Sequence, residues 1–238
     1  MIRARQPCVV LTGAGVSTES GIPDFRSPTG LWAKFDPLEY GSLDAFRADP
    51  VKVWSFYKPR VAMLTGAEPN AAHLALAELE RLGFVQAVVT QNIDLLHERG
   101  GSREVVEVHG SMRSATCPGC GEQQPLERVL ELSADADAPA CPACGEILKP
   151  DVVFFGELLP TGAIERAMEL ARDARLLLVV GSALEVYPVA ALPAETLAAG
   201  GEVAIVNRGP TPYDERAALC VDGNAAAVLP ALVRELAT

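Results

Sequence analysis

CVVLTGAGVSTESG, residues 8–21, decides the fold of this 238-residue chain. A short apolar run ends at Thr12 and is followed by two closely spaced glycines, Gly13 and Gly15. An apolar run that stops at a glycine turn is typical of a strand that connects to a helix. Further short apolar runs alternate with helical patterns over most of the chain, so the sequence predicts βα units and a parallel sheet.

The same pattern gives approximate positions for the main elements. Strands are predicted at Cys8–Leu11, Val85–Val89, Glu104–Val108, Leu176–Val180 and Glu202–Val206. Helices are predicted after the N-cap Asn70 as far as Gly83, and at Gly162–Arg172, Val189–Ala199 and Ala225–Leu236. Proline is tolerated in a first helical turn, so Pro230 is expected in the first turn of the last helix.

Two stretches interrupt the alternation and predict a second, smaller lobe. Residues 31–69 carry aromatics, prolines and short helical pieces, and residues 113–150 carry four cysteines and a polar run. The sequence therefore predicts a single α/β catalytic domain over residues 1–238. Its large, Rossmann-like, doubly wound lobe spans approximately residues 1–30, 70–112 and 151–238. Its small lobe spans 31–69, which is helical, and 113–150, which binds zinc.

Polar or glycine residues follow every predicted strand. The strands end at TGAG, TQNID, HG, GS and NR, in chain order. Open α/β sheets bind ligands at the carboxyl edge of their strands, so these residues predict one composite site in a cleft between the lobes.

The glycine pair at Gly13 and Gly15 suits the close approach of a pyrophosphate to backbone. Thr18 stands where a dinucleotide fingerprint has its third glycine, and no acidic residue closes the second strand in the usual place. An ordinary dehydrogenase therefore fits poorly, and a tight turn without a ligand stays open as an alternative.

His73, His97 and His109 are the only histidines in the sequence. His73 and His97 fall within helical patterns and are interpreted as ordinary helix positions. His109 follows a strand at the same sheet edge as Asn92 and Asp94, which makes it the candidate general base, with a packed histidine as the alternative.

Composition restricts the classes of function. Twenty Lys and Arg against 31 Asp and Glu give a net charge of −11, which disfavours nucleic-acid binding and suits a soluble protein or basic partners. No apolar run reaches the ~18 residues of a membrane span. The first ten residues run straight into the first strand, so we expect no signal or transit peptide and a cytoplasmic, monomeric protein.

The cysteines predict a metal site. Cys117, Cys120, Cys141 and Cys144 form C-x2-C-x20-C-x2-C, the spacing of a four-thiolate zinc site. Four protein ligands leave no open position, so the single zinc ion is predicted to be structural. One alternative to the zinc site is a pair of disulfides, which would require an oxidising compartment. A redox-active C-x-x-C pair is a second and weaker alternative. Cys8 and Cys220 lie in apolar sequence and are expected to be buried free thiols.

Several motifs together resemble the sirtuins, which are NAD-dependent protein lysine deacylases. The matching stretches are GAGVSTESGIPDFRS at 13–27, TQNIDLLHERGG at 90–101, VHG at 108–110, the four cysteines, KPDVVFFGE at 149–157, GSALEVYP at 181–188 and NRGPTP at 207–212. They occur in family order and cover nearly the whole chain.

The resemblance implies a reaction. In sirtuins the acyl oxygen of a modified lysine attacks the ribose carbon of NAD as nicotinamide leaves. His109 would deprotonate a ribose hydroxyl, which then takes the acyl group from lysine. The implied products are free lysine, nicotinamide and 2′-O-acyl-ADP-ribose.

The resemblance also implies which residues bind NAD and take part in the reaction. Gly13, Ala14 and Gly15 would line the phosphates, and Asp24, Phe25 and Arg26 would belong to a loop covering the ribose and nicotinamide. The other implied contacts are Gln91, Asn92 and Asp94 at the ribose and nicotinamide, Gly181 and Ser182 at phosphate or ribose, and Asn207 and Ala225 at the adenosine. His109, Asn92, Asp94 and Arg26 are the implied catalytic residues. Ala183 stands where the family usually has a further hydroxyl residue.

An acylated-lysine peptide is the implied partner. It would add as a strand between residues 153–157 and 184–187, with Val153 and Phe154 near the lysine tunnel. Tyr57 and Arg60 match the Tyr-x-x-Arg pair of the class III branch, found in bacteria, which removes succinyl, malonyl and glutaryl groups and often acetyl groups. A guanidinium can bind a carboxylate through two charge-assisted hydrogen bonds. Gly41 stands where that branch has alanine, and Pro59 is expected to limit the helix to an early turn or a break.

Three alternatives differ in what they do. A protein ADP-ribosyltransferase would attach ADP-ribose to protein, and a non-catalytic zinc-containing interaction module would bind without turnover. An NAD-dependent oxidoreductase is disfavoured by the missing third glycine and by the lack of a second catalytic domain.

Overall fold

The structure of the protein is a computed structural model that describes residues 1–237. It contains two β-sheets. The strands in chain order are β1 Cys8–Thr12, β2 Ala87–Thr90, β3 Val105–Glu107, β4 Gly110–Thr116, β5 Gln123–Pro125, β6 Lys149–Val152, β7 Leu176–Val180, β8 Glu202–Asn207 and β9 Leu219–Asp222. The six-stranded sheet has the order β3-β2-β1-β7-β8-β9, and the three-stranded sheet has the order β5-β4-β6.

Nine α-helices accompany these strands within residues 1–237. In chain order they are α1 Pro37–Tyr40, α2 Leu43–Ala48, α3 Pro50–Gly66, α4 Ala71–Arg81, α5 Leu96–Arg99, α6 Leu126–Ser133, α7 Thr161–Asp173, α8 Leu192–Ala198 and α9 Ala225–Leu236. Short 3-10 helices lie at Ile2–Ala4, Ala14–Val16, Thr18–Ser20, Leu31–Ala33 and Val189–Ala191.

All neighbouring strands of the large sheet are parallel. Every residue of β1 and β7 is buried, as expected for central strands with helices on both faces. One face packs on α7 and α8 through Leu170 and Leu192, and the other packs on α4 and α9 through Leu76 and Leu229. The doubly wound, Rossmann-like arrangement predicted from the sequence is therefore confirmed.

A separate core belongs to the zinc-ribbon module and the helical insertion. Val53, Trp54 and Val61 of α3 pack in one cluster with Cys117 and Cys141. Trp54 also donates its indole N–H to the carbonyl of Leu148 over 2.7 Å. Helix α3 is therefore fixed directly to the cysteine-bearing segment.

The predictions for two prolines are wrong. Pro59 lies in the middle of the continuous helix α3, and Pro230 lies in the second turn of α9 rather than the first. A proline inside a helix costs about 3 kcal/mol, yet buried side chains on both sides of Pro59, among them Trp54 and Val61, hold α3 together. Helix α9 is similarly retained by the burial of Leu229.

Strand β9 is absent from the sequence-based prediction. It pairs with β8 at the sheet edge, and most of its residues are exposed, so it lacks the apolar pattern of a buried strand. Cys220 lies on β9 and is exposed, which corrects its predicted burial. Cys8 is fully buried, and burial raises the pKa of its thiol to about 12. Among residues 1–237, no helix combines the length and apolar character that crossing a membrane would require.

Candidate active site

A cleft of about 990 Å³ lies at the carboxyl edge of the large sheet, where it meets the small lobe. Every residue predicted to bind NAD, to take part in catalysis or to bind substrate lines it. These residues are Gly13, Ala14, Gly15, Asp24, Phe25, Arg26, Tyr57, Arg60, Gln91, Asn92, Asp94, His109, Val153, Phe154, Gly181, Ser182, Asn207 and Ala225. The structure therefore brings the strand-end residues into one cleft with the residues that the resemblance implied.

The floor of the cleft is formed by the loops after β1 and β7. The Gly15 N–H donates to the Gly181 carbonyl over 2.9 Å, and a Cβ on Gly15 would come within 2.8 Å of that oxygen. A Cβ on Gly13 would come within 2.9 Å of both Gly181 and Ser182. These glycines let two backbone segments touch. The Gln91 side chain also connects to this part of the cleft, because it donates a hydrogen bond to the Ser182 hydroxyl over 2.9 Å.

A backbone carbonyl determines which ring nitrogen of His109 carries the hydrogen. Its Nδ1 lies 3.1 Å from the Gln91 carbonyl, which can only accept, so Nδ1 carries the hydrogen and Nε2 is left as the basic nitrogen. Burial lowers the pKa of His109, and the positive charge of Arg26 lowers it further. Gly110 follows at φ +68, where a Cβ would collide with the Asp151 carbonyl, so only glycine fits beside the histidine.

A buried hydrogen-bond network surrounds the polar strand ends. The Ser17 hydroxyl donates to the Asp94 carboxylate over 2.6 Å and accepts from the Asn92 amide over 3.1 Å. Asn92 also donates to the Gly13 carbonyl over 3.3 Å. Sequence reasoning did not single out Ser17. Its signal was available, because it lies only two residues after Gly15 in the stretch that decides the fold.

The two other histidines extend this network into the core. His73 Nε2 is 3.4 Å from the Ser17 hydroxyl, and His97 Nε2 is 2.9 Å from the Thr12 hydroxyl. The two rings are 4.9 Å apart and both are buried. Burial lowers the pKa of His73 to about 4 and that of His97 to about 3. They occupy helix positions as predicted, and they also support Ser17 and the end of β1.

We expect acidification to destabilise the protein through these two rings. Each is neutral when folded and regains a pKa near 6.5 when unfolded, so the unfolded chain binds more protons below pH 6.5 and stability falls as pH falls towards 4. Between pH 7 and pH 5 each ring should remove about 2 kcal/mol from the free energy of unfolding. Urea unfolding of the wild type and His97→Gln at both pH values measures this. Identical losses in the two proteins would contradict it.

An exposed ion pair connects two of the segments that line the cleft. Arg26 Nε lies 3.1 Å from the Glu185 carboxylate and joins the loop at residues 24–27 to the segment at 184–187. The Asp24 carboxylate accepts from the Arg26 and Ser27 backbone N–H groups over 3.0 and 2.8 Å, which fixes the turn of this loop. At the far end of the cleft, Asn207 ends β8 and Ala225 begins α9.

The opposite end of the cleft carries Tyr57 and Arg60 on α3. The Arg60 guanidinium carbon lies 3.4 Å from the Phe56 ring centroid and 4.8 Å from that of Phe35. Tyr57 stacks on Phe154 with centroids 5.4 Å apart. Burial lowers the pKa of Arg60 and raises that of Tyr57. The phenol therefore stays protonated and can donate a hydrogen bond.

The four cysteine thiols form a single cluster in the small lobe. Their sulfur atoms all lie within 4.8 Å of one another, with the Cys117–Cys144 pair at 3.4 Å and the Cys120–Cys141 pair at 3.6 Å. A tetrahedral zinc ion with ~2.3 Å bonds needs sulfur atoms roughly 3.8 Å apart, so the donor set fits one structural zinc ion. Each CPxC turn is followed by a glycine with positive φ, which is Gly121 in the first case and Gly145 in the second.

Zinc removal is expected to loosen the small lobe before the large sheet. Cys117 and Cys141 belong to the same core as Trp54, whereas the sheet has cores of its own. Incubation with a chelator should therefore red-shift tryptophan emission and increase proteolysis within residues 113–150. Added zinc should reverse both effects. Unchanged emission after complete metal loss, verified by elemental analysis, would contradict this expectation.

The chain is similar in sequence to known proteins over nearly its whole length. The Sir2 family matches residues 13–188. NAD-dependent protein deacylase 2 of Pyrobaculum aerophilum is 44% identical over 99% of this chain and 93% of its own. NAD-dependent protein deacetylase of Thermotoga maritima is 44% identical over 89% of this chain and 85% of its own.

Solved structures agree. One described as Sir2 with p53 peptide and NAD+ has a TM-score of 0.92 at 38% identity, covering 99% of this chain and 95% of that one. A family match over most of the chain, together with relatives that are 44% identical over nearly its whole length, leads to one conclusion: this chain belongs to the Sir2 family.

Proposed function

We propose that the protein is an NAD-dependent protein lysine deacylase that removes succinyl and malonyl groups and also acetyl groups. Its products would be nicotinamide, 2′-O-acyl-ADP-ribose and free lysine. The relatives with 44% identity carry the names deacylase and deacetylase, which supports the general activity. The preference for acidic acyl groups rests on Arg60.

The geometry of His109 supports the acyl-transfer step. NAD, when bound, would supply an electrophilic ribose carbon and a ribose hydroxyl that accepts the acyl group. His109 Nε2 is the basic nitrogen, because the Gln91 carbonyl holds Nδ1 as a donor. Its lowered pKa keeps the ring unprotonated near neutral pH, as a general base requires. The Asn92, Asp94 and Ser17 network would orient the ribose and nicotinamide ends.

The acyl preference rests on the surroundings of the Arg60 guanidinium. Within residues 1–237, no carboxylate lies within ion-pair distance of its guanidinium. Its Nε is buried with no hydrogen-bond partner, while another guanidinium nitrogen donates to the Phe56 carbonyl. A buried hydrogen-bond donor on a charged group costs free energy unless an acceptor binds it. A succinyl or malonyl carboxylate would be that acceptor.

We expect the absence of a side chain at Gly41 to leave space for a longer acyl chain. Gly41 lines the cleft, and a Cβ there would come within 3.1 Å of the Pro37 carbonyl and 3.4 Å of the Trp32 ring. Because Gly41 has no side chain, the Trp32 ring forms the wall of the pocket at this position. Residues 153–157 and 184–187 also line the cleft, which supports the proposed addition of a substrate peptide between them.

Product analysis tests the function. Matched acetyl-lysine and succinyl-lysine peptides are incubated with zinc-loaded enzyme, with and without NAD, and the products are identified by mass spectrometry. We expect NAD-dependent acyl-ADP-ribose from both peptides, with the succinyl peptide consumed faster. Formation of the acetyl product alone would contradict the proposed preference for acidic acyl groups. ADP-ribose attached to protein without acylated ADP-ribose would instead favour a transferase, and no product would favour a binding module.

A further inference from the structure

A continuous row of aromatic rings joins the acyl end of the cleft to the loop at residues 24–27. Arg60 lies over Phe56 at 3.4 Å, and the Phe56 and Trp32 rings stack with centroids 5.7 Å apart and planes 11° apart. Trp32 in turn lies 5.2 Å from the Phe25 ring. Four side chains from two segments distant in sequence are therefore in contact, and all four line the cleft.

Backbone bonds make the loop and Trp32 one unit. The Trp32 N–H donates to the Phe25 carbonyl, and the Leu31 N–H donates to the Asp24 carbonyl, both over 2.9 Å. Gly30 permits this close return, because a Cβ there would come within 2.7 Å of both Asp24 and Phe25. A displacement of the Trp32 backbone would therefore move Phe25 or break these bonds, and a shift of the Trp32 ring would disturb its contact with the Phe25 ring.

Trp32 also contacts the other walls of the acyl pocket. Its ring lies 6.2 Å from that of Phe155, and the space left by Gly41 faces it. It is the one aromatic ring among residues 1–237 that contacts the rings of Phe25, Phe56 and Phe155 together.

We propose that Trp32 is a positioning residue that couples an acidic acyl group on Arg60 to the nucleotide-covering loop. This inference rests on the proposed acyl preference. A carboxylate bound to Arg60 fixes the guanidinium over Phe56, which restricts Phe56 and Trp32 and so favours the loop arrangement seen here. An acetyl group is too short to reach the guanidinium and does not engage the row. Nucleotide and acidic acyl-peptide then bind with positive coupling, and the coupling is reciprocal.

Calorimetric titration with ADP-ribose tests the coupling without turnover, because ADP-ribose lacks nicotinamide. The Kd is measured alone, with saturating succinyl-lysine peptide and with saturating acetyl-lysine peptide. We expect the succinyl peptide to lower the Kd by about 5- to 10-fold, within the usual range of allosteric coupling. The acetyl peptide should change it less than 2-fold.

Two substitutions of Trp32 separate coupling from folding. Trp32→Leu removes the stacked ring and should bring the ratio of the two Kd values to about one. Trp32→Phe retains an aromatic ring and should restore most of the coupling. The ratio cancels any general loss of nucleotide affinity in either variant. A ratio in Trp32→Leu equal to that of the wild type would overturn the proposal.

A direct titration of the peptides keeps the two proposals distinguishable. If the wild type binds succinyl peptide more tightly than Arg60→Met but shows no effect on ADP-ribose, the coupling is wrong and the acyl preference stands. If the wild type and Arg60→Met bind succinyl peptide equally, the acyl preference is wrong and the coupling falls with it.

Discussion

His109→Ala is expected to lower kcat for NAD-dependent deacylation by about 10³-fold, within the 10²- to 10⁴-fold range of general base catalysis. The substitution removes the Nε2 base while leaving β4, Gly110 and the backbone contact between Val153 and His109 in place. Initial rates of acyl-ADP-ribose formation measure the loss. Retained affinity for ADP-ribose and a retained zinc content serve as the controls for folding.

The pH dependence of the wild type provides a second check on His109. The base works only when unprotonated, so kcat/KM should fall on the acid side of its pKa. Burial and the nearby Arg26 charge place that pKa below the ordinary value, so the midpoint of the fall should lie below pH 6.5. A rate that is halved well above pH 6.5, or an alanine variant within 10-fold of the wild type, would contradict the assigned role.

Arg60→Met is expected to lower kcat/KM for a succinyl-lysine peptide by about 100-fold and for an acetyl-lysine peptide by less than 3-fold. Losing one partner of a buried, hydrogen-bonded charge pair costs about 3 kcal/mol, which corresponds to that factor. The acetyl group makes no such pair. Methionine retains much of the packing against Phe56 and Phe35, so the difference between the peptides reports the charge.

Arg47→Met is the matched control for this experiment. Arg47 belongs to α2, its side chain is 69% exposed, and its partner Asp44 is a surface residue. The same substitution there should change neither rate. Arg60→Lys should recover only part of the succinyl activity, because an ammonium lacks the planar fork. Equal losses on both peptides in Arg60→Met would remove the carboxylate assignment.

The residues of the cleft could be predicted because parallel strands all end at one edge. Once Gly13, Asn92, His109, Gly181 and Asn207 are each placed after a strand, their proximity follows from the topology. The zinc site was equally accessible, because C-x-x-C spacing fixes two thiols locally and two such turns complete a ligand set. These features depend on order along the chain, which sequence displays directly.

Features that depend on packing between segments were less accessible. Ser17, His73 and His97 meet inside the protein from three separate elements, and no spacing rule links them. The stacking of Trp32 on Phe56 depends on how the segment around Trp32 packs against α3. The two prolines illustrate the same limit, because tertiary burial offsets a local helix penalty that sequence reasoning counts in full.

Strand β4 has a consequence for engineering the protein. It begins one residue after His109 and ends one residue before Cys117, so the proposed base and the first metal ligand are the flanking residues of a single strand. An experiment that exchanges the cysteine-bearing segment for that of another protein would therefore have to cut the chain within this strand or transfer His109 with the segment. A transplant preserving the strand length keeps both ends in register, whereas a one-residue insertion turns its side chains to the opposite face.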